Sequence, residues 1–255
     1  ATLARQDPPH RHICMFKGLV LATETEPSRL VFELCTGGDL HQLLSGHRNR
    51  LVQAADRGIS LDMYAVFPWI QRVSIVRQVA DALTFLHALS IVHRDVKCSN
   101  VLLARPVPSA EKGDVEIPHV KLTDVGLSRI GAAARVGTMT PCMNWRAEEH
   151  PWMAPELATA DYGPAADVYA WGSLTFQVVT LQGFWVSAPW ELSSSPTLPS
   201  ILRMVVEATS ASQLQRPHAK RLRERLEGMT DSAGLALHTW LRTDGRRLGA
   251  LSLTG

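Results

Sequence analysis

The segment that decides the fold reads His93-Arg94-Asp95-Val96-Lys97-Cys98-Ser99-Asn100-Val101-Leu102-Leu103. It places an aspartate, a lysine two residues on and an asparagine five residues on in one short loop ahead of a predicted strand. At this spacing Asp95 and Asn100 can point into one site, where a carboxylate orients a hydroxyl group and an amide oxygen binds Mg²⁺. Lys97 beside them can neutralise charge on a phosphoryl group in transfer.

A strong helical pattern precedes this loop between Trp69 and Leu89. Apolar residues recur there at spacings of three and four, which predicts one apolar stripe along a helix. These residues are Ile70, Val73, Val76, Val79 or Ala80, Leu83 and Leu86. Two short strands are predicted after the loop, at residues 101–103 and 120–122, with a proline-containing connection between them.

Further strands are predicted early in the chain and helices late. Residues 13–21 and 30–34 read as strands around a turn. A short helix is expected to begin at Leu40, and the polar residues 45–62 predict a loop. After about residue 160 helices alternate with loops rich in proline and serine, and the apolar run 165–180 predicts a buried helix that is too short to span a bilayer. This order indicates an α+β fold.

Composition limits the classes of function. The chain has 255 residues, of which 45% are hydrophobic and 20% are charged, as in a globular protein. The net charge of +2 gives no electrostatic reason to expect nucleic acid or a membrane surface as a partner. The cysteines form no CxxC pair, and the polar stretch 1–12 has no signal-peptide core. We therefore expect a cytoplasmic protein with reduced thiols, no membrane segment and no nucleic-acid partner.

Further motifs follow the first segment along the chain. They are Leu122-Thr123-Asp124-Val125-Gly126, Trp152-Met153-Ala154-Pro155-Glu156, Asp167-Val168-Tyr169-Ala170-Trp171-Gly172 and Gln215-Arg216-Pro217. In this order, from about residue 10 to about residue 226, the chain resembles a eukaryotic protein kinase. HRDVKCSN looks like the catalytic loop, DVG stands where DFG is expected, and MAPE matches the APE motif. With Lys97, this loop looks like the Ser/Thr-specific form of the catalytic loop, close to that of the tyrosine-kinase-like and receptor-like kinases.

The resemblance implies an α+β, protein-kinase-like fold, mainly the helical C-lobe with a remnant of the N-lobe sheet. Residues 1–34 would be that remnant, holding the end of the αC region and two strands. Residues 35–228 would be the C-lobe and residues 229–255 a C-terminal tail.

The resemblance also implies a protein serine/threonine kinase that uses ATP and Mg²⁺ and acts on a protein substrate. Asp95 would orient the substrate hydroxyl and accept its proton, and Lys97 would hold the γ-phosphate. Asn100 and Asp124 would bind Mg²⁺. The residues expected around the adenosine of ATP are Phe32 as gatekeeper, Glu33 and Cys35 at the hinge, Asp39 at the ribose, Leu102 at the floor of the adenine site, and Thr123.

Other family roles carry over to structural and regulatory positions. Asp167 would anchor the backbone of the catalytic loop, and Glu156 would pair with Arg216 in the interior. His93 and Val125 would stack in the regulatory core. Arg94 would bind a phosphate placed on the activation segment by an upstream kinase, with Thr138 and Thr140 as the candidate acceptors and Ser128 less favoured.

The chain also departs from the family pattern. No G-x-G-x-x-G occurs in it, and Lys17, the one lysine before Lys97, does not match the family's β3 lysine. Val125 replaces the expected phenylalanine, and residues 140–151 read as an insertion. These departures keep an alternative open: a catalytically dead pseudokinase, or a truncated kinase fragment, that acts as a protein-binding scaffold.

Overall fold

A computed structural model describes residues 9–23, 25–108, 115–125, 129–130, 150–158, 162–183 and 192–243. The strands in these ranges are β1 (Phe16–Val20), β2 (Arg29–Phe32), β3 (Ile91–Val92), β4 (Val101–Leu103), β5 (Val120–Leu122) and β6 (Arg129–Ile130). The helices are α1 (Leu40–Asp56), α2 (Met63–Val66), α3 (Trp69–Ala88), α4 (Pro164–Thr180), α5 (Ser200–Ala208), α6 (Ala219–Glu227) and α7 (Asp231–Arg242). Among the described residues the short strands all end by Ile130, with helices α1 to α3 among them and α4 to α7 after them, and the predicted α+β class is confirmed.

The strands pair antiparallel, β1 with β2, β3 with β6 and β4 with β5. The loop before β1 joins the β4–β5 hairpin, because the N–H of Cys14 donates to the carbonyl of Leu122 at 2.8 Å and the N–H of Leu122 donates to the carbonyl of His12 at 2.9 Å. Asp39 forms a further bridge with Leu102. These contacts hold the segments around residues 12 and 39 against the β4–β5 hairpin, which follows the predicted catalytic loop along the chain.

Helix α3 lies in the middle of the helical part and contacts α4, α6, α7 and β5. The predicted apolar stripe is buried along this helix, with one exception. Ile70 is 47% exposed, because it lies at the first turn and faces away from the core. Trp171 of α4 donates its indole N–H to the carbonyl of Val76 at 2.9 Å, which joins the two central helices inside the core.

The apolar run from residue 165 to 180 forms the buried helix that the sequence predicts, within α4. The left-handed residue Leu181 ends this helix. Within the described residues, none of the helices is both long and apolar enough to span a membrane.

The prediction of a loop at residues 45–62 was wrong over most of its length. Helix α1 continues to Asp56, with Leu44, Leu51 and Ala54 buried on one face. Arg48 on the same helix donates from Nε to the carbonyl of Leu181 at 2.8 Å. The mixed composition of this segment hid the helix, which is stabilised mainly by contacts of its apolar face with the rest of the domain.

No pattern in the sequence indicated helix α7. Its residues Leu237 and Trp240 are buried, and the helix packs against α3 and α5. The indole N–H of Trp69 donates to the carbonyl of Thr230 at 3.1 Å, just before the helix begins. Residues 231–242 are therefore packed onto the helical core.

Candidate active site

The predicted catalytic loop runs from the end of β3 to the 3₁₀ turn Cys98–Asn100 that precedes β4. Its backbone is held by Asp167 of α4. One carboxylate oxygen of Asp167 accepts from the N–H of His93 at 2.8 Å, and the other accepts from the N–H of Arg94 at 2.7 Å. His87 of α3 lies 2.8 Å from the same carboxylate through its Nε2. The expected anchoring role of Asp167 is confirmed.

Asp167 is fully buried, so its ionisation depends on these partners. Burial by itself raises the pKa of this carboxyl, but the hydrogen bonds and charges of its surroundings, that of His87 first, outweigh burial and leave the pKa below its usual value. A charged carboxylate in the interior is stable only when it is paired and hydrogen-bonded, as this one is.

Two non-glycine residues of the site have left-handed backbone conformations. The φ angle is +74° at Arg94 and +60° at Asp124. Such conformations cost about 1–3 kcal/mol each and persist where the surrounding contacts determine them. At Arg94 the backbone N–H is held by Asp167, and the guanidinium donates from Nη1 to the hydroxyl of Tyr162 at 3.1 Å.

The carboxylate of Asp95 is bonded through one oxygen and free at the other. Its Oδ2 lies 2.8 Å from Nζ of Lys97 and accepts from Nδ2 of Asn100 at 2.9 Å. The same Asn100 amide donates to the Asp95 carbonyl at 2.8 Å. Oδ1 is buried and has no hydrogen-bond partner. A buried carboxylate oxygen that is fixed in place and lacks a donor is suited to receive one from a bound hydroxyl group.

Asp124 follows a residue that is bound to the catalytic loop. The carbonyl of Thr123 lies 2.8 Å from Nε2 of the buried His93, and the N–H of Thr123 donates to the carbonyl of Asn100 at 2.9 Å. The Asp124 side chain is exposed, and Val125 packs against the core. The carboxylate of Asp124 and the amide oxygen of Asn100 are ligands that Mg²⁺ prefers, and Mg²⁺ typically keeps waters and substrate phosphates as its other ligands.

The donors present fit a magnesium ion that is completed by other ligands, and they do not form a metal site made of protein side chains alone. Within the described ranges no group of three or more His, Cys, Asp or Glu side chains is arranged to hold a metal ion. A site made by one carboxylate and one amide is incomplete until phosphate oxygens and waters join it. The residues present therefore fit a magnesium ion that is bound together with a phosphate-bearing substrate.

The carboxylate of Glu33, at the predicted hinge, is bound by two groups of the protein. It accepts from the N–H of Met15 at 2.7 Å and pairs with Nζ of Lys121 at 2.8 Å. Partial burial raises the pKa of Glu33, but the Lys121 and Met15 contacts outweigh it and leave the pKa lowered. The side chain of Glu33 is thus used to join the hinge to β1 and β5.

Phe32, Cys35 and Asp39 lie on the segment from the end of β2 to the start of α1, and residues 36–39 of this segment are hydrogen-bonded to β4 and the residue after it. Asp39 accepts from the N–H of Gln42 at 2.8 Å and caps helix α1, while its backbone bridges Leu102. Phe32 is 45% exposed and lies edge-on to Phe16. These positions are compatible with the predicted pocket, and the contacts with adenosine remain predictions.

The described cysteines are free thiols. Cys14 and Cys98 are buried and Cys35 is half-buried. Burial raises the pKa of Cys35 to about 11 and that of Cys98 to about 12, so both thiols are protonated near neutral pH.

The predicted interior ion pair is confirmed. Arg216 donates from Nη1 and Nη2 to the two carboxylate oxygens of Glu156, at 2.5 and 2.9 Å. Arg216 also donates to the carbonyl of Ser210 and lies over the ring of Tyr169. This pair fixes the 3₁₀ turn Pro155–Ala158 against the segment that precedes α6.

Sequence reasoning missed several contacts of the site. His87, Tyr162 and Lys121 bind Asp167, Arg94 and Glu33, and the ring of Trp152 lies 5.9 Å from Nζ of Lys97. A polar residue in the middle of the short strand β5 was the one available signal for Lys121. The predicted phosphate acceptors Thr138, Thr140 and Ser128 lie outside the described residues, as does most of the predicted insertion.

Comparison with known proteins agrees with this geometry. The family model described as "Protein tyrosine and serine/threonine kinase" matches residues 2–191. A probable serine/threonine-protein kinase of Dictyostelium discoideum is 27% identical over 235 residues, which is 88% of this chain and 22% of that protein. The salt tolerance receptor-like cytoplasmic kinase 1 of Oryza sativa subsp. japonica is 32% identical over 175 residues, 67% of this chain and 42% of that protein.

A human relative gives the same result. Serine/threonine-protein kinase ULK1 of Homo sapiens is 28% identical over 203 residues, which is 76% of this chain and 17% of that protein. The chain therefore spans less than half the length of each of these three relatives.

Proposed function

This chain belongs to the protein tyrosine and serine/threonine kinase family, and we propose that the full-length protein transfers the γ-phosphoryl group of ATP to a serine or threonine hydroxyl of a protein. The observation that carries this proposal is the carboxylate of Asp95. One of its oxygens is held by Lys97 and Asn100, and the other is buried without a partner. The names of the relatives support the serine/threonine class.

Each residue of the loop has a separate task in this proposal. Oδ1 of Asp95 accepts the hydrogen of the substrate hydroxyl and orients its oxygen towards the phosphorus atom. Lys97 holds the γ-phosphate by its opposite charge, and its ion pair with Asp95 keeps the ammonium group beside the carboxylate. Asn100 and Asp124 hold Mg²⁺, which when bound neutralises charge on the phosphates.

The nucleotide is expected in the cleft between the hinge and β4. Phe32, Glu33, Cys35, Asp39, Leu102 and Thr123 form this predicted pocket. A phosphate on Thr138 or Thr140, placed by an upstream kinase, is proposed to pair with Arg94. The receptor-like cytoplasmic kinase of rice supports a tyrosine-kinase-like or receptor-like group and a cytoplasmic location for this protein. The proposed division of the chain is an N-lobe remnant at residues 1–34, the C-lobe at residues 35–228 and a C-terminal tail at residues 229–255.

The test is a phosphorylation assay with the full-length protein, Mg²⁺, labelled ATP and a serine/threonine peptide library. Asp95→Asn and Asp124→Asn are each expected to lower phosphate transfer at least about a hundredfold. Ser99→Ala, an exposed change in the same turn, is the matched control and should leave the rate unchanged. A wild-type protein that shows no Mg²⁺-dependent transfer, or an Asp95→Asn protein as active as the wild type, would contradict the proposal.

A non-catalytic scaffold is the second candidate. Exposed apolar side chains on the β1–β2 hairpin and just after it favour this candidate, since Leu19, Leu30 and Leu34 are 52%, 62% and 84% exposed. In that case partner binding should survive Asp124→Asn unchanged, and the wild type should already lack activity.

A further inference from the structure

A charged cleft of about 60 Å³ lies between the loop before β1 and helices α3 and α6, and Asp95 is not among its lining residues. Three segments contribute to its wall. Arg11 comes from the loop before β1, Arg77 and Asp81 come from α3, and Arg223 and Glu227 come from α6. A cavity needs about 10–15 Å³ by this measure to hold one water molecule, so the cleft has room for a small polyatomic ion.

Both acidic residues of the cleft lie near Arg223. Asp81 lies 3.1 Å from Nη1 of Arg223 through one oxygen and 3.4 Å from Nε2 of His10 through the other. Glu227 is about half exposed and lies 3.9 Å from Nε of Arg223, which is too far for a hydrogen bond. Three arginines therefore face two carboxylates, and both carboxylates are directed at the same arginine.

The basic groups are not satisfied to the same degree. Nε of Arg223 is buried and has no hydrogen-bond acceptor. Among the described residues, the guanidinium groups of Arg11 and Arg77 make neither an ion pair nor a hydrogen bond. Arg77 is half-buried, so part of its hydration shell is lost without a replacement. An anion in the cleft would supply the missing acceptors.

The uncharged groups of the wall add no competing charge. The side-chain amide of Gln78 donates to Ser74 and Pro118 and accepts from the N–H of Val120. The ring of His12 is hydrogen-bonded to the carbonyl of Val120 at 3.1 Å. Burial lowers the pKa of His12 to about 4, so this ring is neutral near pH 7. Three arginines against two carboxylates leave the wall with an excess of positive charge, which favours an anion.

We propose that this cleft binds a phosphate group, with Arg11 and Arg77 as its principal ligands and Nε of Arg223 as an additional donor. The guanidinium fork matches the oxygens of phosphate, and donors from three separate segments suit a tetrahedral anion better than a planar carboxylate. The phosphate group comes either from the free ion or from a phosphorylated side chain. The proposal does not depend on catalytic activity.

Occupation of the cleft would act on the loop before β1. Arg11 directly precedes His12, whose carbonyl accepts from the N–H of Leu122 in β5, the strand that ends one residue before Thr123. A phosphate that joins Arg11 to Arg77 would fix the loop against α3. The binding site is thus connected through backbone hydrogen bonds to the strand that leads to Asp124.

Hydrogen exchange of the full-length protein tests the proposal, because it reports on the loop and not on the nucleotide pocket. Exchange of the peptide covering residues 9–15 is compared in inorganic phosphate and in sodium chloride at equal ionic strength. We expect exchange in this peptide to slow as phosphate is added, in a saturable way. Arg77→Gln and Arg11→Gln should each weaken the apparent affinity about tenfold or more, since each removes a charge-assisted contact.

Arg221→Gln is the matched control, because Arg221 is an exposed arginine on α6 that does not line the cleft. It should bind phosphate like the wild type. A second arm replaces the ion by a phosphoserine peptide and by its unphosphorylated form. Tighter binding of the phosphopeptide supports a phosphorylated protein as the source, and binding of the ion alone supports free phosphate.

Two results would overturn the proposal. One is a wild-type protein whose loop exchanges at the same rate in phosphate and chloride and is unaffected by the phosphopeptide. The other is Arg77→Gln and Arg11→Gln proteins that bind phosphate as Arg221→Gln does. Because Arg11 is exposed, its variant keeps the test valid if Arg77→Gln fails to fold.

Discussion

Asn100 donates two hydrogen bonds to Asp95, one to its carbonyl oxygen at 2.8 Å and one to its carboxylate at 2.9 Å. One amide therefore holds both the backbone and the side chain of the proposed catalytic aspartate. This arrangement leaves the second carboxylate oxygen buried and free. Asn100 and Lys97 both contact the side chain of Asp95, and Asn100 holds its backbone as well.

Asn100→Ala is expected to lower kcat of the full-length protein by at least about a hundredfold, because it removes an orienting group and a proposed metal ligand together. Steady-state kinetics with varied Mg²⁺ is the measurement. A raised requirement for Mg²⁺ should accompany the loss of rate. Ser99→Ala, one residue away and exposed, serves as the control. Unchanged kinetics in Asn100→Ala would count against the assigned role.

Asp167→Ala is expected to lower the free energy of unfolding by about 3 kcal/mol or more, since it leaves the buried N–H groups of the catalytic loop without acceptors. Urea denaturation at neutral pH measures this. Asp56→Ala, at an exposed carboxylate, should change stability little.

The contribution of Asp167 also depends on pH. Its pKa is lowered in the folded state, so its stabilising effect is complete above the unfolded value of about 3.9. The effect is lost as the pH falls through the folded pKa, because the unfolded chain then binds the proton first. The stability difference between wild type and Asp167→Ala should therefore narrow in acid. A difference that stays constant down to pH 3 would contradict this.

Glu156→Gln is expected to cost about 3–5 kcal/mol of unfolding free energy, because it leaves the charge of the buried Arg216 without its counter-ion. The exposed pair of Glu207 and Arg225 provides the comparison. Glu207→Gln should cost at most about 1 kcal/mol. Equal effects of the two substitutions in urea denaturation would show that burial of the Glu156–Arg216 pair has no energetic consequence.

Gly234→Ala is expected to destabilise the protein by about 1–3 kcal/mol, although alanine favours helix formation over glycine. A Cβ atom at position 234 would lie 2.5 Å from Cγ of Trp69, so α7 or the indole must move. Gly46→Ala is the matched helical control, since no atom lies within 4 Å of its added Cβ. It should stabilise the protein by up to about 1 kcal/mol. Stabilisation by both substitutions would show that α7 does not pack tightly on Trp69.

His47→Phe is expected to flatten the dependence of stability on pH between about 4 and 6.5. His47 stacks on Phe67, and burial lowers its pKa to about 4. The unfolded chain takes up a proton near pH 6.5 while the folded protein does not, so wild-type stability falls as the pH decreases through this range.

Urea denaturation at several pH values measures the number of protons taken up on unfolding. His41→Phe, at an exposed histidine of the same helix, should retain the wild-type slope. A His47→Phe protein with that same slope would contradict the lowered pKa.

Local patterns were sufficient for the two central helices, α3 and α4. The three-four spacing predicted α3 from Trp69, and the apolar run predicted α4, because each helix carries its burial signal within one stretch of chain. The same reasoning failed for residues 45–56 of α1 and for α7. In α1 the apolar residues are sparse. Helix α7 depends on a distant contact, since the hydrogen bond from Trp69 to Thr230, just before this helix, joins residues 161 positions apart.

The sequence by itself determined the family and the identity of the candidate catalytic residues, because Asp95, Lys97 and Asn100 lie within six residues and the other motifs follow in a fixed order. Only the tertiary structure decided which oxygen of Asp95 is free, what holds Glu33, and that Arg11, Arg77 and Arg223 share one cleft. The physical reason is that these features arise from contacts between segments far apart in the chain. Hydrogen bonds, burial and charge balance act on distances in space, which a local pattern does not contain.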